Sequence, residues 1–506
     1  MVVSDKESEM RTTNFRRRML LKTACGGAVL QCLPGLAMAQ SGYRIRLEWQ
    51  SFKKTSHYQS FLNAIAAMRA NTNPADRNSL QYWANVHVNY CPHGTPYFIA
   101  WHRGYLHFFE QQLQLLSGDP GLNIPYWDYY SNANLPVEFT DPSPTNPLYR
   151  QRMGNNVYNA LNLTPFASNV YNFQRGTWNA FEPKIENVHN PVHDLIGGIM
   201  ATMQSPLDPI FYLHHANIDR LTHAWALPDG KGIPLSAFPY SPSNSDPYWA
   251  GNHVYASDLS LERFLTLIPT WLGNNYEVNN VPTSMPALAS SAQASASRTT
   301  SQPILPSRQR PPFRSFVASP GREISARRRS LGGAVQLPLD EQSGSILLRF
   351  SNKDAMELAR VVAGKRNERG AVGARKAGAV KIVIDQPLVS DAGTRGGYYY
   401  AFYLNMPASI DNDAARTRTF IGTLGAFQIA AASHHGPASL EYDVSDLLVQ
   451  QGLSDFSGMS LSWIRVNGTE APIGRTIQVG EIRAELSFDP EPVLPPPLPK
   501  PRGWYR

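Results

Sequence analysis

The sequence predicts a mainly helical domain with long loops, followed by an all-β domain. Three observations carry this. From about Ser41 to Pro282, apolar residues recur in several places at three- and four-residue intervals. From about Ile346 to Asp489 they fall instead into short β-prone runs bounded by turn residues. Between the two, Ser, Ala, Pro and Arg dominate.

Taken in order, residues 1–39 read as an export signal. Arg16, Arg17 and Arg18 precede Met19-Leu20-Leu21-Lys22, a weakly apolar segment follows to about Leu33, and Ala37-Met38-Ala39 supplies a small-x-small cleavage site. The pattern resembles a twin-arginine signal, which exports folded proteins and implies a periplasmic or secreted product. The apolar run is well short of the ~20 residues a bilayer span needs, and no other stretch is long and apolar enough, so stable membrane insertion is not expected.

Residues 40–283 form the helical domain. Phe98, Trp101, Tyr105, Phe108, Phe109, Leu113 and Leu116 mark one amphipathic helix, and Phe211, Leu213, Ile218, Leu221 and Trp225 a second. Pro- and Asn-rich connections separate them. Residues 284–345 hold too few apolar side chains to offset the entropy of ordering, which predicts a mobile, protease-accessible linker. Arg327-Arg328-Arg329 near its end reads either as a processing site or as a solvated charge run. Residues 346–489 contain the runs Ser345–Phe350, Val380–Ile384, Tyr398–Leu404 and Leu461–Val466, which suggest a β-sandwich or barrel. Residues 490–506 are Pro-rich and read as extended.

The formal charge of +7 is misleading as a guide to partners. Residues 1–39 carry six Lys/Arg against three acids, and residues 284–345 carry eight Arg against three, which leaves the rest at roughly −1. A nucleic-acid partner is therefore not expected. Three cysteines in 506 residues exclude a disulfide framework once Cys25 and Cys32 leave with the signal, and they exclude a Cys-rich zinc module. Cys91 remains alone.

Histidine is the informative residue. Of 13, nine lie between His87 and His223. His87, His93 and His102 form one cluster, the last in the first turns of the Phe98 helix. His189 and His193 stand four apart, a spacing that lets two imidazoles on one helical face bind one metal. His214 and His215 follow on the second helix about 100° apart, so at most one reaches that metal. Asp219, one turn after His215, could accept from its free ring nitrogen. Two sets of three imidazoles, with no thiolate or carboxylate in either, suit copper better than structural zinc.

The strings His93-Gly-x5-Ala-Trp-His102-Arg-x-Tyr-Leu, Ile124-Pro-Tyr-Trp-Asp128, His189-Asn-x-Val-His193 and Asp208-Pro-Ile-Phe-Tyr-Leu-His214-His215-Ala-Asn-Ile-Asp-Arg resemble the tyrosinase and polyphenol oxidase family of type-3 copper proteins, over roughly residues 45–280. Glu441-Tyr-Asp-Val444 and Gly480-Glu-Ile-Arg-Ala-Glu485 are similar, more weakly, to that family's covering β-domain. The resemblance implies a four-helix-bundle dicopper core: copper A on His87, His93 and His102, copper B on His189, His193 and His215, with O2 as co-substrate and small phenols as substrates. His57 competes with His87 for the first position. The family hydroxylates monophenols at the ortho position and oxidises o-diphenols to o-quinones. The alternatives are a catechol oxidase, which lacks the hydroxylation, and a hemocyanin-like O2 binder.

The same resemblance assigns Asn190, and Glu186 with Glu182 as runner-up, to holding the water that takes the phenol proton. It implies a thioether between Cys91 and His93, and it places Asp194 near the substrate entrance. It further implies that the C-terminal domain shields the site until displaced or cleaved by a processing protease. Tyr398, Tyr399, Tyr400 and Tyr403 are the aromatic cluster that could supply the blocking side chain.

Overall fold

A computed structural model describes residues 43–177, 179–226, 248–287, 309–368, 378–410, 417–433 and 436–488. The signal reading and the Pro-rich tail fall outside these residues, and from Arg44 onward the chain packs as one unit.

Five longer helices build the first part: α1 (His57–Ala70), α2 (Leu80–Tyr90), α3 (Phe98–Ser117), α4 (Phe181–Ile196) and α5 (Ile210–Ala226). The α3 spacing buries Phe98, Trp101, Tyr105, Phe109 and Leu113 together, as one apolar stripe should. Helix α2 starts where the Ser79 hydroxyl accepts the Gln81 amide, and α3 stops at Gly118, whose φ of 67° favours glycine. Helix α5 is buried along its whole length, which places it at the centre of the domain. Phe109 of α3 lies on Tyr212 of α5 with ring centroids 3.6 Å apart, and the Tyr105 hydroxyl donates to the Trp83 carbonyl at 2.9 Å, tying α3 to α2. Pro191 sits inside α4 between His189 and His193, where its missing N–H removes one helical bond.

The second part is a β-sandwich. One sheet runs β6 (Ser439–Asp443), β3 (Ala379–Asp385), β8 (Ile477–Ser487), β1 (Arg328–Leu339), with short strands at Val317–Ser319, Arg322–Ser325 and Leu388–Val389 added to it. The other runs β5 (Phe420–Gly425), β4 (Tyr398–Leu404), β7 (Gly458–Asn467), β2 (Gly344–Arg349). All pairings in both sheets are antiparallel. Helix α6 (Asn352–Glu368) joins β2 to β3, and α7 (Ala426–Ser433) follows β5 directly.

Strand β4 shows how the two parts meet. Its side chains alternate, so Tyr398, Tyr400, Phe402 and Leu404 enter the sandwich core. Tyr399, Ala401 and Tyr403 face the other way and join the apolar cluster of the helical domain. The Tyr399 hydroxyl donates to the Asn159 carbonyl at 2.6 Å.

The linker expectation needs correction where its residues are described. Instead of a mobile segment, residues 309–345 include a bridge from Gln309 to Ser409 and the twelve-residue strand β1. Composition concealed a buried strand: Leu331, Ala334, Leu337 and Leu339 enter the sandwich core, while Arg328 and Arg329 are paired. Arg328 meets Glu485 and Glu441, and Arg329 meets Glu323 and Asp354. Of these three arginines, Arg327 lies in an exposed turn, while Arg328 and Arg329 begin a paired strand.

Candidate metal centre

Four helices and one turn aim six imidazoles at a common space. His87 lies in the last turn of α2, His93 in the turn after it, and His102 one turn into α3. His189 and His193 come from α4 and His215 from α5. All are buried except His93, which keeps a partly exposed edge.

In the α4–α5 set the three Nε2 atoms lie 3.1, 3.2 and 3.3 Å from one another. A point equidistant from them is about 1.9 Å from each, close to the ~2.0 Å of a metal–imidazole bond. By ring centroids the two sets are similar in size, 4.5 to 5.5 Å in this one and 4.9 to 5.6 Å in the other. The sets face each other, and His102 stacks on His215 at 4.2 Å.

Nδ1 partners fix the rings. His87 donates to the Met203 carbonyl at 2.7 Å, His102 to Phe98 at 2.8 Å, and His193 to Met200 at 2.8 Å. His189 donates to the Asn190 side-chain oxygen at 2.8 Å. A proton held on Nδ1 leaves Nε2 as the lone-pair nitrogen facing inward. Burial, reinforced by neighbouring imidazoles, holds His93, His102, His189, His193 and His215 well below the usual imidazole pKa. Neutral nitrogens crowded this closely are what a metal requires. His57 is elsewhere, bonded to Asp119 at 2.7 Å and partly exposed.

His214 joins the α4–α5 group in space, its ring stacked on His189 at 5.0 Å, and both its nitrogens are buried without a hydrogen-bond partner. Cys91 places its sulfur 3.6 Å from His93 Nε2 and 3.5 Å from His102 Nε2.

A family model described as the common central domain of tyrosinase matches residues 57–158 and 140–227. The match takes in residues 57–227, about a third of the chain, and includes all six imidazoles. A tyrosinase of Hahella sp. (strain CCB-MM4) is 32% identical over 185 residues, 29% of this chain and 40% of the relative. A Streptomyces glaucescens tyrosinase is 30% identical over 175 residues, 26% of this chain and 63% of that one. The chain therefore spans less than two thirds of either relative's length. Latent apple tyrosinase aligns over 89% of this chain and 98% of its own, with a TM-score of 0.52 at 16% identity, a likeness of fold that takes in both parts.

The surroundings of the imidazole centre correct three expectations. Asp219 does not reach His215, whose Nδ1 has no partner. Its oxygens are taken by Arg103 at 2.6 Å, Arg46 at 3.4 Å and the Tyr276 hydroxyl at 2.5 Å, a buried network behind the site. Asp194 lines no open entrance: it is 1% exposed, packed against the C-terminal domain. Burial pushes its carboxyl up to about 8, despite the Phe427 and Ala426 amides that face it. Alternation places Tyr398 and Tyr400 of β4 in the sandwich core and Tyr399 and Tyr403 in the apolar cluster of the helical domain, whereas the ring seated on His193 comes from another element.

The residue over the site is Phe427 of α7, which the sequence reading missed. Its ring centroid lies 3.9 Å from His193, 5.2 Å from His93 and 5.6 Å from His189. A lone Phe in Ala426-Phe427-Gln428-Ile429 carries no periodicity to set it apart from a core residue.

Glu186 stands beside the turn that carries His93. One oxygen accepts the Gly94 amide at 2.9 Å and the other meets Arg175. Glu182 is buried deeper, accepting from the Tyr248 hydroxyl at 2.8 Å and the Arg175 amide at 2.9 Å, and burial pushes its pKa up to about 7.

Proposed function

We propose that this protein is a tyrosinase that hydroxylates monophenols and oxidises o-diphenols to o-quinones with O2, held latent by its C-terminal domain. The convergence of three Nε2 atoms within 3.3 Å, opposite a second imidazole set, carries the reading. His87, His93 and His102 hold one copper ion, and His189, His193 and His215 the other. Bound copper supplies O2 binding and accepts the phenol's electrons.

The chain's own residues orient and protect. The Met200 and Met203 carbonyls and the Asn190 side chain stop the imidazoles turning. A thioether from Cys91 to His93 would fix a further ring; the sulfur lies within reach of His93 and equally of His102. Glu186 and Asn190 hold the water that accepts the phenol proton. Each Glu186 oxygen already accepts one hydrogen bond, from Gly94 or Arg175, and has a further lone pair for that water. Phe427 must leave before a phenol ring enters, since it occupies the face of His193. Displacement or cleavage of the covering domain by a protease would do this. Residues 1–39 direct the product out of the cytoplasm. No helix among the described residues is long and apolar enough to cross a membrane.

The test is oxygen uptake by the copper-loaded full chain, before and after limited proteolysis, with tyrosine alone and with catechol. Turnover of both after proteolysis supports the proposal. Catechol turnover alone makes it a catechol oxidase, and reversible oxygenation without product makes it a hemocyanin-like carrier.

A further inference from the structure

Asp194 follows His193 in α4, and two separate segments of the C-terminal domain converge on it. Its backbone carbonyl accepts the Gly397 amide at 2.7 Å, and its carboxylate accepts the Phe427 amide at 2.8 Å. The first grip extends onward, because the Gly397 carbonyl accepts the Gly468 amide at 2.7 Å. Among the described residues no Lys or Arg pairs with this buried carboxylate, so backbone amides at the start of α7 are what it faces.

Glycine makes the approach possible. A Cβ at Gly425 would overlap the Asp194 carboxylate, and one at Gly396 would lie 2.9 Å from the Asp194 carbonyl oxygen. The aromatic ring seated on His193 therefore belongs to the residue whose amide is bonded to the side chain of His193's neighbour. Helix α7 is only eight residues long and begins directly at the end of β5, so its first turn has little freedom to move once that bond is made.

We propose that Asp194 is a clasp, a positioning residue whose carboxylate sets how deeply Phe427 sits over the imidazoles. This inference rests on the reading of Phe427 as the cover. The rest of the domain interface would then tolerate opening of α7 alone, without separation of the sandwich from the helices.

Hydrogen exchange of the copper-loaded full chain tests it. Asp194→Ala removes the acceptor, and Gly425→Ala inserts a methyl against it without touching a residue of the metal site. Each should speed exchange across residues 425–433 by about tenfold, the scale for one lost buried hydrogen bond. Strand β8 should keep its protection in both. Asp194→Asn, which retains an oxygen, should preserve protection of residues 425–433. Unchanged exchange in both alanine variants, or equal loss over β8, would overturn the clasp. Loss confined to residues 425–433 without any gain in catechol oxidation would uphold the clasp and overturn the oxidase reading instead.

Discussion

Phe427 lies flat on His193, with ring centroids 3.9 Å apart and planes 12° from parallel. The two residues are 234 positions apart in the chain and come from different parts of the fold, α4 and α7. Their contact makes the metal centre and its cover one structure: the imidazole is fixed on one edge by the Met200 carbonyl and on one face by a ring the chain itself supplies. Whatever reaches the centre has to compete with that ring.

Each imidazole set should hold its own copper ion. His215→Ala removes one of three converging nitrogens and should lower copper from two to about one per chain, since two remaining ligands leave the site incomplete. His87→Ala should lower the other set in the same way. His57→Ala, at the Asp119 pair, should leave copper at two. Metal analysis of the three purified variants distinguishes His87 from His57 directly.

Asp219 should matter for stability more than for metal geometry. It neutralises two guanidinium groups in the interior, those of Arg46 and Arg103. Asp219→Ala leaves Arg46 its pair with Glu110 at 3.0 Å but strands the Arg103 charge against the Thr266 and Leu267 carbonyls alone, and should cost about 3–5 kcal/mol. Denaturant unfolding reads this. A copper content unchanged in the protein that does fold would separate the network behind α5 from the ligands themselves.

Acid should loosen the C-terminal sheet in part through Glu481. Hydrogen bonds from Arg322, helped by Ser319 and Arg483, hold its pKa down to about 2 against an ordinary 4.5. A carboxylate depressed on folding stabilises fully above its unfolded pKa, and that stabilisation is lost as pH falls from about 4.5 towards 2. Glu481→Gln should therefore unfold more easily at pH 7 and show a shallower loss of stability across that acid range. Urea midpoints at a series of pH values test both halves.

The elements with strong local patterns were legible in the sequence. Residues 98–116 gave a helix because apolar side chains repeat at its period, and the four-residue step from His189 to His193 gave a shared face. The four β-prone runs lie in strands. What escaped depends on partners distant in the chain. Strand β1 looked like linker because Arg328 is neutralised by Glu485 and Glu441, more than a hundred residues later. Asp219 pointed to His215 by helical spacing, but two arginines and a tyrosine from elsewhere claim it. The resemblance put Asp194 near the substrate entrance, and nothing local announces that Gly397 and Phe427 return to cover it.

The central claim is a dicopper phenol oxidase closed by Phe427, and one comparison tests it most directly. Copper content and catechol-dependent oxygen uptake are measured on the uncleaved chain and its Phe427→Ala variant. The expected result is two copper ions in both and a rate at least about tenfold higher in the variant, the scale of a cover weakened by ~1.4 kcal/mol. Two copper ions in both with equally low uptake would contradict the closure by Phe427. Failure of either protein to retain copper would contradict the centre itself.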